Sequence, residues 1–379
     1  MSTKVRGAEG NGKKKKKLTK AAKRKRRLKR ILAFEFVLMF LLLVMGVGVK
    51  YVLDKWGLID TKDIDEDALA ISENINKESS GYTNIALFGV DARDASVIDT
   101  SNSDCIIILS INNKTKEIKM VSVYRDTLLM CPDKKDSKKD YDLRKANYAY
   151  SAGGPQLAIA QLNKNLDLDI TDYAAVNWNA LATAVDEVGG LEIEISKAEM
   201  EEINRHIVGT ADSTGKKCNL VEEYGLVHMD GNQVTTYCRI RKGGTGNDFA
   251  RAERQRQVIS LLVQKAQTMN LKTLNSIIDE VFPMISTSVS LSEVLGLAKD
   301  ATKYSIGETK SFPFQFTTAT LGKKGDCIIP CGLSYNVSAL HEFLFGTENY
   351  EPSAKVEELD DAIYNYTGVP TYVEPDEAS

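Results

Sequence analysis

The chain has 379 residues, 43% of them hydrophobic, a formal net charge of −3 and only three histidines. It is too apolar for a disordered chain and too poor in histidine for a histidine-rich metal site, and it is long enough to bury a sizeable core. The near-neutral total hides an asymmetry: residues 1–30 carry fifteen Lys or Arg against one acid, Glu9, about +14, while the remainder sums to about −17, with 34 basic against 51 acidic residues.

Residues 1–30 read as a basic cytoplasmic tail, with unbroken runs at Lys13–Lys17 and Lys23–Arg27. Ile31–Val49 follows with Glu35 as its only charge. Helical geometry gives this stretch a length of roughly 28 Å, against about 30 Å of bilayer hydrocarbon. Lys50 can snorkel and Tyr51-Val52-Leu53 extends the run, so residues 31–53 are expected to form one transmembrane helix. The positive-inside rule then keeps the N-terminus cytoplasmic and puts the rest of the chain outside the cell membrane. A cleaved signal peptide is the alternative; the apolar run is long for one and lacks a small-x-small cleavage site. Nucleic acid is not expected as a partner. No aromatics interleave the basic block, and a topogenic signal that also touches anionic lipid accounts for it.

Residues 54–80 are polar and acidic without periodicity and read as a stalk with room for one short helix. Ile85–Val90 is a continuous apolar strand ended by Asp91-Ala92-Arg93, and Cys105–Ile111 and Ile118–Tyr124 are two more, joined by a turn at Asn112–Glu117 as a hairpin. Pairing Ile111 with Ile118 sets Asp104 opposite Arg125 at one end of the sheet. Gly153-Gly154-Pro155 opens a helix to about Leu166, with proline in the first turn. A strand at Tyr173–Val176, a helix at Asn179–Val188 and a strand at Leu191–Ile195 follow. Further helices run from Asp248 to about Met269, over Leu274–Val281 and over Leu291–Lys299, with a last strand near Ser311–Phe316. This alternation predicts an α/β fold: a single extracellular domain with a mixed central β-sheet flanked by helices. Residues 81–270 form its core, 271–349 the C-terminal part of the same domain, and 350–379 a loose acidic tail.

Two arginine-bearing segments meet around one glycine-rich loop. Tyr237–Arg241 reads as a strand, whose period of two puts Arg239 and Arg241 on one face. After Gly243-Gly244-Thr245-Gly246-Asn247, the helix from Asp248 sets Arg251 and Gln255 on the stripe that continues through Val258 and Leu262. Polar groups on a core-facing stripe need a partner. Three guanidiniums and an amide converging on one spot suit a diphosphate, because planar forks match phosphate oxygens. A solvated helix start and strand rim is the alternative, and Arg254 and Arg256, off the stripe, are assigned to it.

Asp91 ends a buried strand and Asp104 begins one, at the sheet edge where α/β folds meet ligands. Two carboxylates beside phosphate-binding arginines suit a magnesium ion. Structural Asp–Arg bridges, Asp91 with Arg93 and Asp104 with Arg125, are the competing reading. Outside the membrane, six cysteines can bridge. Cys327 and Cys331 are close in sequence, and Cys131 and Cys218 sit in polar segments, so bridges Cys327–Cys331 and Cys131–Cys218 are expected. Cys105 and Cys238 lie in apolar segments and read as buried free thiols.

The ordered blocks Asn84–Arg93, Ser103-Asp104, Ser122–Asp126, Lys145-Ala-Asn147 to Gly153-Gly154, Val185–Gly190, Leu226–Gly231 and Arg239–Gln255 resemble the LytR–CpsA–Psr family of membrane-anchored cell-wall glycopolymer ligases. The resemblance covers roughly residues 81 to 270. It implies a phosphotransferase that moves a glycopolymer from a polyprenyl-diphosphate carrier to peptidoglycan and leaves a phosphodiester. Teichoic acid, capsule or another wall glycan could be the polymer. By resemblance Asp91 and Asp104 are the Mg2+ ligands, with Mn2+ as the alternative ion, and Arg93, Arg125, Arg239, Arg241, Arg251 and Gln255 the diphosphate clamp. Asp91, Asp104, Arg125 and Asp248 make the catalytic set. The chain departs from the family pattern at Asn102, Cys105 and Tyr124, where arginine, threonine and proline are usual. Asp104 or Asp248 is the expected general base, and Asp248 reads equally as a helix N-cap. An apolar channel for the lipid is expected around Leu157, Leu162 and Leu261. A non-catalytic lipid-linked glycan binder, a membrane-bound regulator and a polyprenyl-diphosphate hydrolase are the alternatives.

Overall fold

The computed structural model describes residues 50–71, 79–91, 98 and 101–372. The basic tail, the expected span up to Val49 and Arg93 lie outside the described residues. Residues 50–56 are helical and end a unit of their own; everything below concerns the unit that starts at Gly57. Among the described residues, no helix is long and apolar enough to cross a membrane.

Strands β1 (Asp60–Thr61), β2 (Tyr82–Val90), β3 (Ser103–Asn112), β4 (Glu117–Val123), β7 (Asp172–Asn177), β10 (Ile285–Thr287) and β11 (Ser305–Phe312) form one sheet in the order β1-β10-β7-β2-β3-β4-β11. The sheet is mixed: β2–β3 and β3–β4 are antiparallel, β2–β7 and β4–β11 parallel. Smaller ribbons pair β5 (Leu128–Pro132) with β6 (Asp140–Lys145), β8 (Leu191–Ile195) with β9 (Gly225–Met229), and β12 (Phe316–Thr320) with β13 (Asp326–Pro330). Ile111 pairs with Ile118, the register expected of the hairpin.

Continuous apolar sequence in β2 and β3 is the signature of strands covered on both faces. On one face Ala86, Phe88, Ile106 and Ile108 join a core with helices α1 (Ala146–Leu166), α8 (Leu333–Phe345) and α9 (Ala354–Thr367). On the other lie α2 (Trp178–Glu187) and α5 (Asp248–Ala266), with a second core built also from α3 (Lys197–Thr214) and α4 (Gly231–Tyr237). Helices α6 (Leu271–Val281) and α7 (Leu291–Lys299) complete the fold. α1 is kinked where Gly153 and Gly154 leave helical dihedrals, Gly154 at φ 71°. The expected helix after Pro155 is therefore its second half, preceded by two turns that end at the kink.

Three expectations about organisation change. Residues 354–367 form helix α9, not a loose tail: Val356, Leu359 and Ile363 recur at helical spacing and are buried, while the acids Glu357, Glu358 and Asp361 face outward. The stalk is partly built into the domain, since β1 pairs with β10 and Leu69 is fully buried in the first core. Tyr237–Arg241 is not a strand. The capping box of Asp230 and Gln233 starts a helix at Gly231 that ends at Tyr237, and the alternating burial of Cys238 and Ile240 that mimics a strand belongs to the segment after it.

Candidate active site

Asp104 is placed by an irregularity in the sheet. Gly89 pairs with Cys105 and Val90 with Ser103, so Asp104 is the extra residue of a bulge, a device that re-aims a side chain. Its Oδ1 accepts a hydrogen bond from Arg125 Nη1 at 2.8 Å, the contact implied by the hairpin register. Arg125 also reaches Asp126 at 3.3 Å, and Lys145 pairs with the other oxygen of Asp126 at 2.8 Å. The Asn147 amide donates to the Arg125 carbonyl at 3.1 Å. The Lys145-Ala-Asn147 block thus holds Arg125 in place. Burial works against the Arg125 charge, but Asp104 and Asp126 outweigh it and its pKa is raised.

The start of α5 supplies the opposite wall. Asn247 is the N-cap, its side chain accepting from the Phe249 amide at 3.0 Å, so Asp248 is free of the capping role the sequence allowed it. Asp248 Oδ1 instead faces Arg251 at 2.8 Å and Arg241 at 3.6 Å. Arg251 is only 8% exposed. Burial lowers its pKa against the opposing Asp248 and Asp104, and the nearby Arg125 adds to the effect. Gln255, one turn on, donates to the Cys238 carbonyl at 3.3 Å. Asp104, Tyr124, Arg125, Asp248, Arg251 and Gln255 line one polar pocket.

That pocket shares Cys105 and Gln255 with an apolar cavity of about 220 Å³, walled by Leu87, Ile107, Val176, Trp178, Val258 and Leu262 among others. The stripe through Arg251, Gln255, Val258 and Leu262 therefore runs from one compartment into the next. Leu157 and Leu162 instead belong to the core on the other face of the sheet, and Leu261 packs against the second core, so the expected lining of an apolar channel is corrected. Period two explains this: Phe88 faces the first core, while Leu87 and Gly89 face the cavity.

Loss of the expected strand separates the other arginines. Arg239 lies over the Trp178 ring at 5.5 Å and donates to Thr210 Oγ1 at 3.4 Å, in a neighbouring pocket that also holds Glu202 and His206. Arg241 lines the same neighbouring pocket and meets the polar one only through Asp248. Arg254 and Arg256, expected off the site and solvated, are buried, 5% and 6% exposed. Arg254 donates to Glu199 at 2.9 Å, to the Ile240 carbonyl at 3.0 Å and to the Thr245 carbonyl, fastening the glycine-rich loop to α3. Burial of Glu199 is outweighed by the Ser196 amide and Arg254, which hold its pKa below the ordinary range. Arg256 donates to Ser311 at 2.8 Å. Both roles escape a periodicity argument because their partners, in α3 and β11, come from distant sequence.

All six cysteines are free, which corrects both expected bridges. Cys327 lies in β13 and Cys331 just beyond its end, and four residues of extended chain separate them by roughly 13 Å, far more than a bridge spans. Cys131 is buried in β5 and Cys218 is exposed after α3. Burial pushes the Cys105 thiol up to about 12, consistent with an inert free thiol.

Asp91 leaves β2 at the same end of the sheet as Asp104, its amide donating to the Asn102 carbonyl at 3.3 Å. Among the described residues no group of three or more His, Cys, Asp or Glu could cage a metal. Asp91, just beyond β2, and Asp104, in the β3 bulge, are two carboxylates at this end of the sheet, and Asp104 is engaged by Arg125.

A family model described as the LytR_cpsA_psr family matches residues 57–327. The polyisoprenyl-teichoic acid–peptidoglycan teichoic acid transferase TagU of Enterococcus faecalis is 28% identical over 287 residues, 75% of this chain and 86% of that protein. Biofilm regulatory protein A of Streptococcus mutans is 30% identical over 212 residues, 55% of this chain and 50% of that protein. Protein gbs0355 of Streptococcus agalactiae, a solved structure, superposes with a TM-score of 0.60 at 23% identity, covering 75% of this chain and 94% of that one, and shows the same fold.

Proposed function

The chain belongs to the LytR–CpsA–Psr family, and from that premise we propose that it is a glycopolymer–peptidoglycan phosphotransferase working outside the cell membrane. The observation that carries the reading is the junction of two compartments. A polar pocket holding the buried Arg251, with Arg125 and Gln255, borders an apolar cavity across Cys105 and Gln255. A polyprenyl diphosphate has the same division, an anionic head joined to an apolar tail.

In this reading an acceptor hydroxyl attacks the sugar-proximal phosphorus. The bond from that phosphorus to the bridging oxygen breaks, polyprenyl phosphate leaves, and one phosphate remains in the new diester. Positioning and charge neutralisation are the protein's main contributions to such a transfer. Arg125 and Arg251 hold phosphate oxygens, with Arg241 reaching the site beside Asp248. The hydroxyl proton goes to a carboxylate of the pocket; Asp104, Asp126 and Asp248 line it, and Asp126 is held by Arg125 and Lys145, which leaves Asp104 and Asp248 as the candidates. Asp91 and Asp104 would hold a magnesium ion, which supplies charge neutralisation on the phosphates when bound. Residues 31–53 anchor the chain, so a reporter fused after Ser379 is active outside the membrane.

The relative named as a regulatory protein keeps a binding-only role in view. Titration of the purified chain with octaprenyl diphosphate and octaprenyl monophosphate tests the site itself. Preference for the diphosphate, lost in Arg251→Ala, supports the reading; equal binding of both lipids, or none, contradicts it.

A further inference from the structure

Three aromatic rings stand beside the polar pocket and belong to neither hydrophobic core. Tyr124 follows the end of β4, Phe249 lies in the first turn of α5 and Phe316 opens β12. Their centroids lie 4.6 Å (Tyr124–Phe249), 4.9 Å (Phe249–Phe316) and 5.8 Å (Tyr124–Phe316) apart. All three are half-buried. Aromatic residues usually bury their area in a core, so a trio brought together from three distant segments and left partly open needs another account.

Its position supplies one. Tyr124 precedes Arg125 and Phe249 follows Asp248, so two of the rings are chain neighbours of two residues that line the pocket. Phe316 is carried by the β12–β13 ribbon, whose Ile328 lines the pocket and whose Ile328 amide donates to the Asp126 carbonyl at 2.9 Å. The Tyr124 hydroxyl lies beside Ser311, which accepts from Arg256 at 2.8 Å. Cys105 and Gln255 are the pocket's border with the apolar cavity, whereas Tyr124, Asp126 and Ile328 line only the polar pocket. The order is therefore apolar cavity, charged pocket, aromatic rim. Thr318, two residues beyond Phe316 on the same face of β12, is exposed.

We propose that Tyr124, Phe249 and Phe316 form a subsite for the pyranose ring attached directly to the diphosphate. One face of a pyranose carries mainly C–H groups that pack on an aromatic ring, while its hydroxyls remain free to hydrogen-bond at the edge. A lipid diphosphate seated across the two compartments presents its first sugar on the side away from the lipid, where the rings stand. The inference rests on the phosphotransferase reading and deepens it: the trio selects for the sugar, while the arginines select for the diphosphate.

The test compares two probes on the full-length chain in detergent, octaprenyl diphosphate and octaprenyl diphosphate bearing one N-acetylglucosamine. Phe316→Ala should weaken the sugar-bearing lipid by roughly tenfold, the scale of a lost ring contact, and leave the bare diphosphate within about twofold. Phe316→Leu, which keeps apolar volume without an aromatic face, should behave like Phe316→Ala, and Phe316→Tyr like wild type. Equal losses for both lipids, or wild-type sugar-lipid binding in Phe316→Leu, would show that the rings only support the fold. Wild-type protein that binds the bare diphosphate with no gain from the sugar would overturn this inference alone; binding neither lipid would overturn the functional reading with it.

Discussion

Arg251 and Arg254 are three residues apart on one helix and equally hidden, yet they should fail in opposite ways when removed. Arg254 satisfies the Glu199 carboxylate and two loop carbonyls. Arg254→Ala leaves a half-buried carboxylate and two backbone acceptors without their donor, the kind of loss that costs about 3–5 kcal/mol. For a domain of this size that is on the order of a 10 °C fall in melting temperature. Arg251 is a buried cation whose pKa is lowered by burial, so its charge is a burden until an anion arrives. Arg251→Ala should leave the melting temperature within a few degrees of wild type or raise it. It should weaken polyprenyl-diphosphate binding by roughly ten- to a hundredfold, the scale of one charge-assisted hydrogen bond of about 1.5–3 kcal/mol. Lysine at 251 should restore binding only in part, because a point charge does not replace the planar fork. Thermal melts with and without octaprenyl diphosphate measure both quantities. Equal melting losses in the two variants, or wild-type melting of Arg254→Ala, would refute the division between a ligand-binding and a loop-fastening arginine.

Other consequences follow from particular contacts. Asp91→Ala and Asp104→Ala should each abolish magnesium-dependent transfer while the fold survives, and activity unaffected by chelator would argue against the metal assignment. Leu359→Ala should lower stability by about 2–5 kcal/mol because α9 is core and not tail, which a denaturant titration would show. Burial opposes the Asp140 charge, but Lys355 and Lys164 outweigh it and hold its pKa low. A carboxylate with a depressed folded pKa adds stability above its unfolded pKa and loses it as pH falls through the folded one. Asp140→Asn should therefore melt earlier than wild type at neutral pH, with the difference closing below about pH 4.

Local pattern carried the parts of the fold whose partners are near in sequence. The turn at Asn112–Glu117 fixes the Ile111–Ile118 register, and from it the Asp104–Arg125 contact follows over a dozen residues of strand. The Arg251–Gln255–Val258–Leu262 stripe needs only the helical period, and it leads from the charged pocket to the apolar one. What depended on distant partners was not legible. Arg254 has Glu199 as its ion partner, fifty-five residues away, and nothing in helix periodicity announces it. Cys238 and Ile240 alternate with polar residues as a strand would, but the capping box at Asp230 had already committed the preceding segment to helix. The acidic composition beyond Tyr350 masked the Val356–Leu359–Ile363 stripe, and cysteine spacing alone could not show that Cys327 lies on a strand too extended to reach Cys331.

Product analysis tests the transfer reaction most directly. Purified full-length protein is mixed with magnesium, a glycan on polyprenyl diphosphate and peptidoglycan. The expected product is glycan joined to peptidoglycan through one phosphodiester, with one polyprenyl monophosphate released per linkage formed. Glycan phosphate released to water with no attachment would make the protein a hydrolase, and tight lipid binding with no product at all would leave it a binder; either result contradicts the account.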